Sequence, residues 1–258
     1  MVSGVKTGDI IAYKGIPFAA PPVGDLRWKA PQPAKHWDGV RKCVAFSASP
    51  MQAKPTPFMV YTSEFLIPES PISEDCLYLN VWTGAKTKAD KRPVFVWIYG
   101  GGFTSGGSAC PIYDGEAMAK KGIVMVSINY RVGVFGFLAH PELTKEANGK
   151  GSGNYGLLDQ VAALKWVKKN IAAFGGDPNN VTIGGQSAGS MSVNCLVASP
   201  LTKGLFNKAI AESGSLVVDN PLLPPTTLQA AEANGTKLAE KAGAKTLAEM
   251  RAMPAEEV

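Results

Sequence analysis

Residues 174–190, FGGDPNNVTIGGQSAGS, decide the predicted fold. The apolar run at 181–183 has the β-branched composition of a strand, and residues 188–197 have the composition of a helix. A strand that turns abruptly into a helix leaves little room beside the residue at the apex. The positions two before and two after the apex must therefore be nearly free of side chain. The G-x-S-x-G spacing of residues 185–189 predicts such a turn, with Ser187 at its apex.

This turn would hold the Ser187 hydroxyl out from the sheet edge. The hydroxyl would then lie at a helix N-terminus, where free N–H groups favour negative charge. A serine in that position is suited to attacking a carbonyl carbon. The alternative is that Ser187 only caps the helix that begins at Ala188. The pattern alone does not separate the two, because Gly, Ser and Ala are common residues.

Composition excludes several classes of protein. The 258 residues are 45% apolar, which is enough for a sizeable core in one large domain or two small ones. The net charge of +5 is modest, and the densest basic stretch, 86–92, contains Asp90, so we expect a solvated loop there and no nucleic-acid partner. No apolar run approaches the ~18 residues of a membrane span, and no signal peptide follows Met1.

Metals and nucleotide cofactors are also not expected. Four cysteines without a C-x-x-C pair and only two histidines offer no zinc-ligand spacing and no disulfide scaffold. The glycine-rich stretches at 100–107 and 148–153 fit neither of the usual nucleotide-binding patterns. The sequence therefore predicts no cofactor and no metal.

The order of the elements predicts an α/β domain with a mostly parallel sheet and helices on both faces. Residues 1–35 are expected to form short extended pieces, and 47–73 a long loop. Strands are predicted at 77–82, 94–99, 123–128, 181–183 and 208–212, and helices at 116–121, 157–173, 188–197, 230–242 and 247–253.

Gly100, Gly101 and Gly102 follow the apolar run at 94–99 directly. Three glycines at the end of a buried strand either expose backbone N–H groups to a ligand, as an oxyanion hole does, or form a flexible turn. Reactive groups in parallel sheets lie at the carboxyl ends of the strands. We therefore expect these glycines to lie close to Ser187.

Several separate motifs resemble the type-B carboxylesterases, a family of α/β-hydrolases that also includes cholinesterases and neuroligin. The resemblance covers nearly the whole chain. The matching segments are 14–19 (KGIPFA), 74–81 (EDCLYLNV), 99–103 (YGGGF), 129–131 (NYR), 153–160 (GNYGLLDQ) and the serine turn itself.

The resemblance implies a role for each matching residue. Ser187 would be the nucleophile that forms an acyl-enzyme with a small-molecule ester, and the N–H groups of Gly101, Gly102 and Ala188 would bind the oxyanion. The alternative is a non-catalytic binding or adhesion module, but neuroligin-like proteins typically lack the serine. The resemblance also implies a secreted or periplasmic location, and it leaves the oligomeric state open.

Other matching residues carry structural implications. Arg27 with Glu74, and Arg131 with Asp159, resemble the family's structural ion pairs. Many members form a disulfide at the position of Cys76. Its usual partner position is Pro50 here, and Cys43 is a candidate substitute.

Two departures from the family pattern concern the substrate. Gln186 precedes the serine where cholinesterases have a carboxylate, and no tryptophan occurs between Trp37 and Trp82. The loop before Glu74 therefore lacks the aromatic platform that a quaternary ammonium group needs. We do not expect choline esters to be substrates.

A general base is missing from the expected place. In α/β-hydrolases the serine is followed along the chain by an acid and then a histidine. Both histidines, His36 and His140, precede Ser187, and we expect His140 to be structural. We expect residues 1–258 to be the N-terminal part of a single α/β-hydrolase domain, truncated before the acid and the histidine, incomplete at the C-terminus and inactive alone. Another alternative is a histidine supplied by a separate chain.

Overall fold

The computed structural model describes residues 1–57, 59, 61–216 and 226–258. Its strands are β1 (Val2–Ser3), β2 (Val5–Thr7), β3 (Ile10–Pro17), β4 (Arg41–Lys42), β5 (Ser49–Pro50), β6 (Ile72–Ser73), β7 (Tyr78–Thr83), β8 (Arg92–Ile98), β9 (Val124–Ile128), β10 (Gly176–Gln186) and β11 (Lys208–Glu212). The α-helices are α1 (Glu116–Lys120), α2 (Gly133–Phe137), α3 (Pro141–Glu146), α4 (Tyr155–Asn170), α5 (Ala188–Ala198), α6 (Leu228–Lys241) and α7 (Leu247–Ala252).

Seven strands form the main sheet, in the order β11-β10-β8-β9-β7-β3-β2. The pairs β11–β10, β10–β8 and β8–β9 are parallel, while β7 lies antiparallel to both β9 and β3, and β2 antiparallel to β3. Strands β3, β8, β9, β10 and β11 therefore run in one direction, and only β2 and β7 oppose them. The predicted, mostly parallel sheet is confirmed.

The helices cover the sheet on both faces, as predicted. One face buries the even-numbered residues of β8 and β9 in the largest core cluster, together with side chains of α4 and α5 such as Leu164 and Val193. The other face holds a smaller cluster in which Trp82 and Met125 pack against Ala119 of α1. Strand β9 is buried at every position, which is the pattern of a strand with cover on either side.

The strand β3 was missed at the sequence level. It spans Ile10–Pro17, whereas only short extended pieces were predicted for residues 1–35. Its pairing with β7 is irregular between Tyr13 and Ile16, and this breaks the alternating pattern that identifies a strand. The N–H of Gly15 at the irregularity donates instead to Asn80 Oδ1 at 2.9 Å.

The predicted long loop at 47–73 contains little regular structure among its described residues. The two-residue strands β5 and β6 pair in parallel near its ends, and a short 3₁₀ turn spans Ser63–Phe65. Residues 58 and 60 of this loop lie outside the described residues.

The helices α6 and α7 pack on a separate core cluster. Leu247 and Met250 of α7 are buried there with Trp28 and Leu143. Arg27 binds this segment, because its Nη1 donates to the carbonyls of Met250 and Met253 at 2.8 and 2.9 Å. In the described part of the chain, no helix combines the length and the apolar character needed to cross a membrane.

Candidate active site

Ser187 lies at the sharp turn between β10 and α5, as its glycine spacing predicts. Its backbone has φ 56° and ψ −123°, a conformation that residues with a Cβ rarely adopt. The Ser187 N–H donates to the carbonyl of Glu212, at the end of β11, at 2.9 Å. The neighbouring strand therefore helps to hold the serine in this strained conformation.

The two glycines around Ser187 are required by close backbone approach. A Cβ on Gly185 would lie 2.5 Å from the carbonyl carbon of Gly189, and a Cβ on Gly189 would overlap the carbonyl oxygen of Ile98. The turn is therefore packed directly against the end of β8. The steric reason for the G-x-S-x-G spacing is present at both positions.

The side chain of Ser187 does not cap the helix. Within the described residues, its hydroxyl accepts no hydrogen bond from the first turn of α5. The side chain is only half-buried, whereas Ala188, Gly189 and Ser190 are buried. The hydroxyl is thus left available for a ligand, which favours the chemical interpretation over the capping alternative.

The segment after β8, residues 100–106 (the glycine turn), lies beside the serine. A Cβ on Gly100 would lie 3.0 Å from Ser187 Cβ and 2.5 Å from the Gln186 carbonyl oxygen, so only glycine fits there. Gly101 and Gly102 follow with φ values of 118° and 62°, and both are exposed. The two motifs, far apart in sequence, meet at the carboxyl ends of β8 and β10.

The backbone N–H groups of this turn are available to a ligand. The carbonyl of Gly101 accepts hydrogen bonds from the N–H and hydroxyl groups of Thr104 and Ser105, at 3.0 to 3.2 Å. Within the described part of the chain, the N–H groups of Gly101, Gly102 and Ala188 donate to no protein acceptor. Free amides beside a serine are what a negatively charged oxygen needs.

Two tyrosines support this arrangement from inside the protein. The rings of Tyr99 and Tyr130, at the ends of β8 and β9, stack with centroids 4.3 Å apart. Each hydroxyl donates to the other residue's carbonyl, at 2.7 Å from Tyr99 and 2.9 Å from Tyr130. The sequence alone did not identify this pair, although Tyr99 is the last residue of one predicted buried strand and Tyr130 lies two residues after another.

The two expected ion pairs are present. Arg131 binds Asp159 through Nε and Nη2, both at 2.8 Å, and Arg27 binds Glu74 at 2.7 and 2.6 Å. Burial raises the pKa of the Asp159 carboxyl, and the Arg131 guanidinium opposes that rise. The Arg131 N–H, next to the Tyr130 carbonyl, also donates to Asp159 at 3.0 Å, so the pair fixes the segment after β9.

The cysteines are all free thiols, and Cys43 forms no disulfide with Cys76. Cys76 lines a cavity of about 10 Å³ together with Pro50, the position where the family pattern places its partner. Burial raises the pKa of the Cys76 thiol far above its usual range. A buried, protonated thiol of this kind is unreactive.

Neither histidine contacts Ser187 among the described residues. His140 Nδ1 accepts from the N–H of Glu142 at 3.2 Å and so caps α3, while His36 lies on the surface near Asp38. The expectation that His140 has a structural role agrees with this contact. The described residues therefore bring together a serine and its amide donors, and no histidine beside them.

Comparison with known proteins identifies the family. A model described as "Carboxylesterase family" matches residues 2–257. The chain belongs to the carboxylesterase family. The α/β-hydrolase fold is confirmed by a solved relative, the Geobacillus stearothermophilus carboxylesterase EST55, with a TM-score of 0.85 and 42% identity over 99% of this chain and 50% of that chain.

Curated relatives of this chain include enzymes with different named substrates. Fumonisin B1 esterase from Sphingopyxis macrogoltabida is 48% identical over 92% of this chain and 42% of that protein. Mouse cholinesterase is 46% identical over 82% of this chain and 34% of that protein. The chain thus spans less than half the length of these relatives. Both are esterases, so they do not favour the adhesion alternative.

Proposed function

We propose that this carboxylesterase chain carries the nucleophile and the oxyanion-binding amides of a serine hydrolase of carboxylic esters. The observation that supports the proposal is the packing of Gly100 against Ser187, with the unbonded N–H groups of Gly101 and Gly102 next along the described chain. The capping alternative leaves both the unbonded hydroxyl and the adjacent amides without an explanation. An ester carbonyl placed between them uses both.

The arrangement suits acyl transfer to Ser187 Oγ. The oxygen attacks the ester carbonyl carbon, and the carbonyl oxygen becomes an anion that accepts from the N–H groups of Gly101, Gly102 and Ala188. Collapse of this intermediate expels the alcohol, which takes the serine proton through a general base. Water then attacks the acyl-enzyme, releases the carboxylic acid and restores the hydroxyl.

The general base is proposed to come from outside residues 1–258. His140 is engaged with the N-terminus of α3 and His36 lies on the surface, so neither is positioned to take the Ser187 proton. Loss of a triad member lowers turnover by up to about 10⁶-fold. We therefore expect residues 1–258 alone to hydrolyse esters negligibly, either because the base lies elsewhere in the same protein or because a separate chain supplies it.

We further propose that choline esters are poor substrates. Gln186 lies beside the serine, with its Oε1 3.3 Å from the position that a Gly100 Cβ would take. A neutral amide at this position does not attract a quaternary ammonium group as a carboxylate does. Turnover of butyrylcholine comparable to that of a neutral butyrate ester would contradict this specificity.

The central experiment uses the intact protein, meaning residues 1–258 together with the proposed source of the general base. It measures hydrolysis of p-nitrophenyl butyrate by this protein and by its Ser187→Ala variant. We expect the variant to lose about 10⁶-fold in kcat, and a fluorophosphonate probe to label the parent at Ser187 and not the variant. The matched control is Ser3→Ala, which removes a hydroxyl from β1, outside the seven-stranded sheet. Equal turnover by the parent and Ser187→Ala would overturn the proposed function.

A further inference from the structure

The side chain of Gln52 binds both main-chain groups of one residue in the glycine turn. Its Oε1 accepts from the Gly106 N–H at 2.8 Å, and its Nε2 donates to the Gly106 carbonyl at 2.8 Å. The same Nε2 donates to the carbonyl of Pro50 at 2.9 Å. One carboxamide thus ties the long loop that contains Gln52 to the end of the glycine turn.

Gly106 is packed directly on the part of the turn that touches the serine. A Cβ on Gly106 would lie 2.5 Å from the carbonyl oxygen of Gly100 and 2.6 Å from the ring of Tyr99. Gly100 in turn lies against Ser187, as described above. Gln52 is therefore connected to the serine through two close backbone contacts, Gly106 with Gly100 and Gly100 with Ser187.

The turn has little burial of its own to keep it in place. Gly101, Gly102, Thr104 and Ser105 are all exposed. Among the described residues, the turn is anchored mainly at two positions. The ring of Phe103 packs on the core and on Phe137, and its carbonyl accepts from Gly133 N–H at 2.7 Å, while Gly106 binds Gln52. An exposed turn anchored at few points is free to move when one anchor is lost.

We propose that Gln52 is a positioning residue that fixes the oxyanion-binding amides of Gly101 and Gly102 relative to Ser187. This inference rests on the proposed function. Gln52 has no contact with the reacting atoms, so its effect is transmitted through Gly106. A carboxamide is required because the site needs one acceptor for the Gly106 N–H and two N–H donors, one for each of two carbonyls.

Two substitutions separate the hydrogen bonds from the shape of the side chain. Gln52→Glu keeps the size but sets a carboxylate oxygen against the Gly106 and Pro50 carbonyls, which also only accept. Gln52→Met keeps the length and removes every hydrogen bond. In the intact protein we expect both to lower kcat on p-nitrophenyl butyrate by about 10- to 100-fold, because small misplacement of catalytic groups has effects of that size. KM should change by no more than about 2-fold, because the lost stabilisation acts on the transition state.

The matched control is Gln32→Glu. The Gln32 side chain is exposed, and within the described residues its Nε2 donates only to the carbonyl of Ala30, at 2.9 Å. A trifluoromethyl ketone, which adds to the serine and places an anionic oxygen at the amides, should lose affinity for the Gln52 variants by the same factor as kcat/KM. The control should keep both. Parent values of kcat and ketone affinity in both Gln52 variants would overturn the inference.

A measurement without substrate keeps this test apart from that of the proposed function. In Gln52→Met, the amide protons of Thr104 and Ser105, which are hydrogen-bonded to the Gly101 carbonyl, should exchange with solvent at least about 10-fold faster than in the parent, while those of β9 keep their rates. Unchanged exchange in the turn would overturn the inference even if the protein hydrolyses esters. If the parent shows no Ser187-dependent turnover, the proposed function fails, and the exchange rates still decide whether Gln52 holds the turn.

Discussion

The two halves of the candidate site are held by different means. The Ser187 turn is fixed by packing: Gly185 and Gly189 lie so close to the backbone of β8 and α5 that no Cβ fits. Apart from Phe103, whose ring packs on the core, residues 101–105 of the glycine turn are exposed and held by hydrogen bonds, and a Cβ on Gly102 would meet nothing nearer than Thr104 Oγ1 at 3.7 Å. The comparison indicates that the nucleophile is positioned by the fold itself, whereas the amides depend on a few replaceable contacts.

The largest effect is expected from Gly189→Ala. Its Cβ would overlap the Ile98 carbonyl oxygen and lie 2.8 Å from that of Tyr99, so the end of β8 and the start of α5 must separate. We expect a loss of at least about 3 kcal/mol in the free energy of unfolding, measured by urea denaturation of the intact protein. A variant with the parent midpoint would show that the serine turn is not held by packing.

A smaller effect is expected at the tyrosine pair behind the serine turn. Tyr130→Phe leaves the buried Tyr99 carbonyl without the hydroxyl that donates to it at 2.9 Å. Such a lost bond costs about 1 to 3 kcal/mol of stability. Thermal unfolding of the variant and the parent at pH 7 measures this loss of stability. Tyr99→Phe is the companion variant, because it removes the reciprocal bond to the Tyr130 carbonyl.

The same pair predicts how stability depends on pH. Burial raises the pKa of both Tyr99 and Tyr130 above the usual value of about 10. Their contribution is therefore complete below pH 10 and is lost as pH rises, because the unfolded chain ionises while the folded tyrosines stay protonated. Each tyrosine contributes about 1.4 kcal/mol per pH unit to this loss. Stability should fall less steeply above pH 10 in Tyr130→Phe than in the parent, and parallel curves would contradict the assignment.

The difference between the halves also explains what the sequence could predict. The serine turn was found because its steric requirement is local: a strand, two glycines at fixed spacing and a helix lie within residues 174–198. The strand at 208–212 was predicted with the bounds that the structure shows, since a short apolar run between turns is also a local signal. For the same reason the helices α4 and α5 were predicted to within a few residues.

What the sequence could not show depends on contacts between distant residues. Gln52 lies 54 residues from Gly106, in a loop without periodicity, so its bonds to the glycine turn have no local signature. Likewise β3 acquires its role only by pairing with β7, across an irregularity at Tyr13–Ile16 that hides its pattern. The disulfide state of Cys43 and Cys76 stayed open at the sequence level for a related reason, because sequence alone does not show how distant residues are placed; both are free thiols in the structure.

The smallest effect is expected from Gly102→Ala, the same substitution as Gly189→Ala but in the exposed half. Its φ of 62° is unfavourable for alanine by about 1 to 2 kcal/mol, and no close atom adds to that penalty. Gly204→Ala is the matched control, since Gly204 has φ 76° and no neighbour within 4 Å of its Cβ position. We expect equal losses in the free energy of unfolding for the two variants, measured by urea denaturation, because the turn adds no constraint of its own at Gly102. A loss at Gly102 as large as that of Gly189→Ala would instead show that both halves of the site are held by packing, and the contrast between them would be wrong.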